Sequence, residues 1–132
     1  MKLVVDSNII ISAFSVHGLC TEVFELCLAE HEIYLCMEIL DEVKRGLVKK
    51  IKIPETVADK IIGFLREKVN VGEPTKLKYN PCRDFKDLMV LGIAESSCAE
   101  IIISGDQDLL VLKKHKNTKI LSPRQFWELL RA

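Results

Sequence analysis

The sequence lacks an excess of charge of either sign: 19 Lys and Arg balance 19 Asp and Glu. No overall positive field draws nucleic acid, so a polyanion would have to be met by a local patch of cations. It also lacks an apolar run long enough to span a bilayer. A strand pattern is already under way at residue 3, which leaves no room for a secretory leader. The five cysteines, Cys20, Cys27, Cys36, Cys82 and Cys98, are odd in number and include no C-x-x-C. Their spacing argues against a zinc site and, without a leader, against a disulfide framework. They are expected to be reduced, mostly buried small side chains of a cytoplasmic protein. No internal repeat, low-complexity tract or linker is present. The 132 residues are therefore expected to form one domain, 1–132, around a sizeable core.

What is present is an alternation of strand and helix. Strands are expected at 2–5, 33–36, 100–104 and 119–121, each a short, mostly apolar run. Helical periodicity fills 8–14, 21–30, 38–50, 54–68, 84–97 and 109–114. In the third of these, Ile39, Leu40, Val43 and Leu47 share one stripe. The fourth carries Val57, Ile61, Ile62, Phe64 and Leu65, more apolar surface than one side of a small sheet needs. Gly72 and Pro74 make 69–79 a loop with room for one short strand, and Asn80-Pro81 marks a turn. A last helix opens with Ser122 as cap, Pro123 in first position and Gln125 completing a capping box. Strands separated by helices imply parallel pairing and hence a three-layer α/β/α sandwich.

The chemistry lies in acids at the ends of elements. Leu3-Val4-Val5 runs straight into Asp6-Ser7-Asn8, and Ile101-Ile102-Ile103 into Ser104-Gly105-Asp106. Each strand delivers a carboxylate to the carboxyl edge of the sheet, where open α/β folds bind ligands. Each acid also has a local reading. Asp6 suits an Asx-turn, Asp106 a helix cap with Asp108 in the first turn, and Asp84 and Asp87 the start of another helix. Glu42 sits on the shoulder of its helix's apolar stripe and suits a solvated edge. On one sheet these residues are not independent. At about 5 Å and an effective dielectric near 20, each pair of carboxylates repels by roughly 3 kcal/mol. Such a cluster wants a hard divalent cation, and oxygen-only ligands suit Mg²⁺ or Mn²⁺.

Val-Asp6-Ser-Asn8, Glu42 within L-x-E-V, Asp87 seven residues before Ala94, and Ser104-Gly-Asp106-Gln-Asp108 together resemble the PIN domain. In particular they resemble the single-domain toxin components of toxin–antitoxin pairs. The resemblance covers essentially the whole chain. It implies a metal-dependent endoribonuclease, with Asp6, Glu42, Asp87 and Asp106 as the acidic quartet and Asn8 and Ser104 as supporting positions. Asp84 and Asp108 are extra acids beside the third and fourth members, so either member of each pair is a ligand candidate. Metal-assisted in-line hydrolysis follows, with one cation held by Asp6, Asp106 and Asp87 and a second recruited through Glu42 and Asp87. The resemblance also implies RNA as substrate, an antitoxin partner and a homodimer.

RNA would need cations around the acids. Arg45 and Lys49, within the cluster Lys44, Arg45, Lys49, Lys50 and Lys52, are the first candidates; Lys113, Lys114, Lys116 and Lys119 form a second cluster. Other chemistries fit less well. A haloacid-dehalogenase-like phosphatase needs a second aspartate where Asn8 stands, and a receiver domain needs an Asp that 69–79 does not contain. His17, His31 and His115 adjoin no nucleophile and are expected on the surface. A PIN-like module that acts by binding a protein or RNA, with little turnover, is the alternative function.

Overall fold

The computed structural model describes residues 1–78 and 84–131. The expected turn at Asn80-Pro81 and the side chain of Cys82 lie outside these. The chain runs from β1 (Lys2–Val5) through α1 (Ser7–Ser15) and α2 (Leu19–Glu30) to β2 (Glu32–Leu35). Helices α3 (Met37–Lys49) and α4 (Glu55–Lys68) lead to the two-residue strand β3 (Asn70–Val71), and α5 (Phe85–Ser97) leads to β4 (Ile101–Ile103). A short helix α6 (Gln107–Leu110), a hairpin of β5 (Lys114–His115) and β6 (Thr118–Leu121), and helix α7 (Pro123–Arg131) follow. Together they form an α/β/α sandwich around one sheet of order β3-β2-β1-β4-β6-β5, parallel except for the β5–β6 pair.

The two central strands are buried on both faces. Leu3, Val4, Val5, Ile101, Ile102 and Ile103 are all solvent-excluded, which is why they read as unbroken apolar runs rather than alternating ones. Val5 pairs with Ile103 at their carboxyl ends. From β1 the chain winds outward through β2 to β3, then returns over α5 to lay β4 on the other side of β1. The direction of winding therefore reverses between β1 and β4. A reversal of this kind opens a crevice beyond the carboxyl ends of the two strands.

Two close approaches hold the helical layers. Ile11 of α1 packs onto Gly46 of α3 so tightly that a Cβ there would stand 2.1 Å from the Ile11 Cδ1. The segment after β3 crosses α5 at Gly92, where the Thr75 N–H donates to the Gly92 carbonyl at 2.9 Å. A Cβ on Gly92 would meet the Thr75 carbonyl oxygen at 2.5 Å. On α4, Ala58 and Leu65 are core and Ile61 and Ile62 pack partly against it, so the apolar surplus reduces to the exposed Val57 and Phe64.

Three expectations need correction. The helix expected over 109–114 ends at Leu110, because Lys113 and Lys116 take left-handed backbone angles (φ 62° and 53°) around a hairpin absent from the sequence reading. His115, expected on the surface, is buried, and its Nε2 meets the Glu95 carboxylate at 2.6 Å. His31 is half-buried, edge-on to Phe126 at 6.0 Å. Of the described cysteines, Cys27 and Cys36 are buried, Cys20 is intermediate and Cys98 is exposed. Among the described residues no single helix is long and apolar enough to cross a membrane.

Candidate functional site

Backbone pairing continues one residue beyond the central strands. The Asp6 N–H donates to the Ile103 carbonyl at 2.9 Å, and the Ser104 N–H to the Leu121 carbonyl at 3.0 Å. Asp6 and Ser104 thus leave neighbouring strands side by side, and the Ser104 hydroxyl donates to Asp6 Oδ2 at 2.8 Å. The same hydroxyl oxygen accepts from the Asp106 N–H at 3.0 Å. Asp106 caps α6, its Oδ1 accepting from the Asp108 N–H at 2.9 Å. The cap reading of Asp106 is therefore correct, but it occupies one oxygen only. Asp6 precedes α1 without a side-chain cap bond.

The third acid comes from α5. Asp87, Val90, Leu91 and Ala94 lie on one buried stripe of that helix, at the i, i+3, i+4, i+7 spacing of a core face. Asp87 is fully buried, and neither of its carboxylate oxygens has a hydrogen-bond partner among the described residues. One oxygen each from Asp87, Asp106 and Asp108 lie within 4.8 Å of one another. Asp84 is in a different situation: it is exposed, and its Oδ1 caps α5 by accepting from the Lys86 N–H at 3.1 Å.

The electrostatics follow from this crowding. Burial, then the charges of Asp106, Asp6 and Asp84, push the Asp87 carboxyl up to about 7, with Lys86 pulling the other way. Burial also raises Asp6, against the Ser104 hydroxyl, Lys86 and the Ser7 backbone, while Asp106 adds to the rise. A buried carboxylate with no donor costs several kcal/mol unless it is neutralised. The arrangement fits a divalent cation: the donors are all carboxylate oxygens, and the Asp87 pair has no hydrogen-bond partner among the described residues.

The remaining candidates stand around this centre rather than in it. A cleft of about 490 Å³ between α3 and α5 is lined by Asp6, Glu42, Arg45, Asp84, Phe85 and Lys86 among others. Glu42 lies on the α3 wall with its Oε2 accepting from Arg45 Nη2 at 2.6 Å, so it is not one of the three converging acids. The Asn8 side-chain oxygen accepts from Lys50 Nζ at 3.5 Å. Lys49 is exposed at the end of α3 and is not among the cleft-lining residues. Sequence reasoning missed Lys86, the cation whose charge reaches both Asp6 and Asp87. Its signal was its position between Asp84 and Asp87.

Strand-end acids at a winding reversal, over a mostly parallel sheet, define the class of site: carboxylate-lined, with oxygen donors suited to a cation. The chain belongs to the PIN domain family, which matches residues 2–108 and so spans every acid described above. Among solved structures it is similar to VapBC2 from Rickettsia felis bound to a DNA fragment from their promoter. That match has TM-score 0.67 and 15% identity, over 92% of this chain and 98% of that one. It is similar too to VapBC-1 from nontypeable Haemophilus influenzae, with TM-score 0.67 and 16% identity, over 94% of this chain and 99% of that one. At such identities the likeness is one of fold. No curated protein matches the chain significantly.

Proposed function

We propose that this protein is a Mg²⁺- or Mn²⁺-dependent endoribonuclease and the toxin of a toxin–antitoxin pair. The observation that carries the chemistry is Asp87: a buried carboxylate without a donor among the described residues, beside Asp106 and Asp108. Asp6, Asp87 and Asp106 would hold the cation, with Asp108 as a further ligand candidate and Glu42 contributing from the opposite wall. When bound, such a cation lowers the pKa of water at the site and stabilises charge on a phosphoryl group. The chain's own residues orient and balance. Ser104 fixes one oxygen of Asp6 and the backbone of Asp106 through a single hydroxyl. Lys86 offsets part of the acids' mutual repulsion, and Arg45, with Lys49 beyond the cleft, would meet phosphates of the strand.

Family membership supports the nuclease reading, and the two VapBC neighbours support an antitoxin partner. A homodimer is part of the same proposal, with the exposed Val57 and Phe64 of α4 as its candidate face. One observation favours the alternative of a module that acts by binding: Glu42 is held by Arg45 and stands apart from the converging acids. An end-labelled single-stranded RNA incubated with Mg²⁺, Mn²⁺ or excess chelator decides between them. Cleavage is expected only with metal and is lost in Asp6→Asn and Asp106→Asn. Cleavage that survives in both variants, or in chelator, refutes the site; a metal-induced rise in Tm without cleavage selects the binding module.

A further inference from the structure

Phe85 is the first residue of α5 and is 67% exposed. Leaving a ring of that size in water forgoes most of the stabilisation that burying it would give. Among the described residues two other aromatic rings are exposed, Phe14 and Phe64. Phe14 sits edge-on to Phe24 at 6.3 Å, and Phe64 lies beneath Lys68 Nζ at 5.8 Å. Phe85 has no such neighbour among the described residues. It alone of the three lines the cleft, with Lys86 and Met89 of α5, Arg45 of α3 and Asp6.

Three chemistries therefore share one cleft: acids suited to a metal, cations suited to phosphate, and an exposed flat apolar face. A single-stranded nucleic acid uses all three at once, since its bases stack on aromatic side chains while its backbone follows the cations. An apolar protein segment would use only the ring. We propose that Phe85 is a base-stacking platform, holding an unpaired nucleobase of the RNA beside the acid centre. The inference rests on the ribonuclease reading for its substrate class. It adds a preference for single strands, because a base inside a duplex is already stacked on both faces and has none to offer the ring.

The test uses a single-stranded oligoribonucleotide carrying 2-aminopurine, whose fluorescence falls when it stacks, titrated with protein in Ca²⁺ buffer. Wild type and Phe85→Trp should bind and quench. Phe85→Leu should lose the quenching and bind roughly 5- to 150-fold more weakly, with wild-type Tm confirming its fold. In Mg²⁺ the same variant should raise KM while kcat is kept. Quenching that depends on Phe85, without cleavage by wild type in Mg²⁺ or Mn²⁺, supports the platform and refutes the ribonuclease reading. Cleavage by wild type with Phe85→Leu binding within twofold overturns the platform alone and assigns the ring to a protein partner. A wild type that binds no RNA overturns both.

Discussion

Replacing Asp87 by Asn should stabilise the metal-free protein at pH 8, and that advantage should vanish or reverse by pH 5. An Asp in the unfolded chain titrates near 3.9, whereas burial and the neighbouring acids push folded Asp87 up to about 7. The folded state thus holds this proton more tightly than the unfolded chain does. The stability linked to it is fully present below about pH 4 and is lost as pH rises through 7. Across three pKa units the penalty on folded Asp87 reaches about 4 kcal/mol at pH 8, but only about 1.5 kcal/mol at pH 5. Asn escapes it at both, although its amide is left without partners at a cost of about 1–3 kcal/mol. That cost is the same at either pH and cancels in the comparison. Between pH 5 and pH 8, Asp87→Asn should therefore gain about 2.5 kcal/mol on wild type, a relative Tm shift on the order of 10 °C. Scanning calorimetry in chelator at the two pH values measures it. Adding Mg²⁺ at pH 8 should raise the wild-type Tm and leave the variant unmoved, because ligand binding to the native state alone shifts stability. A Tm difference that does not change with pH refutes the account of Asp87 as a buried, unpartnered acid.

Three other substitutions probe neighbouring parts of the argument. Asp84→Ala should lower stability by about 1 kcal/mol through loss of the α5 cap while RNA cleavage is largely kept, as denaturant titration and gel assays would show. Ser104→Ala leaves Asp6 and the Asp106 N–H without their shared partner, and metal affinity should fall about 10- to 100-fold by isothermal calorimetry. Gly92→Ala drives a Cβ into the Thr75 carbonyl. The overpacking cost of about 1–3 kcal/mol should exceed the roughly 1 kcal/mol gained in helix propensity, lowering the denaturation midpoint.

The fold was legible because its central strands are buried on both faces and so leave unbroken apolar runs in the sequence. Terminal signals were equally plain at α7, where the Ser122 N–H donates to Gln125 Oε1 at 2.9 Å and the Gln125 N–H to Ser122 Oγ at 3.1 Å. Of the β5–β6 hairpin only β6 was legible. Lys113 before the hairpin and Lys116 in its turn take left-handed angles without glycine, and the short Lys-rich β5 reads as the polar end of a helix. His115 was misplaced for a related reason: the carboxylate that makes its burial tolerable, Glu95, lies 20 residues away. At the candidate site, the order of the acids was readable but the choice between Asp84 and Asp87 was not drawn from the helix. The stripe Asp87, Val90, Leu91, Ala94 tells which of the two is buried, since Asp84 falls on the cap outside it. Lys86 and Phe85 were missed because neither periodicity nor composition says which cations and rings face a cleft.

The geometry that matters most at this centre is set by residues with no chemistry of their own. Asp6 and Ser104 meet because Val5 pairs with Ile103 and the ladder then runs on for one more residue. A slip of one residue in that register would turn Asp6 and Ser104 to opposite faces of the sheet. The strands resist that slip because a shift would move the exposed Glu100 into the buried position of Ile101. Burying the carboxylates opposes folding, and their mutual repulsion adds to it, in that order for both Asp6 and Asp87. Strand pairing works against that cost by holding Asp6 and Ser104 side by side, where the Ser104 hydroxyl donates to the Asp6 carboxylate.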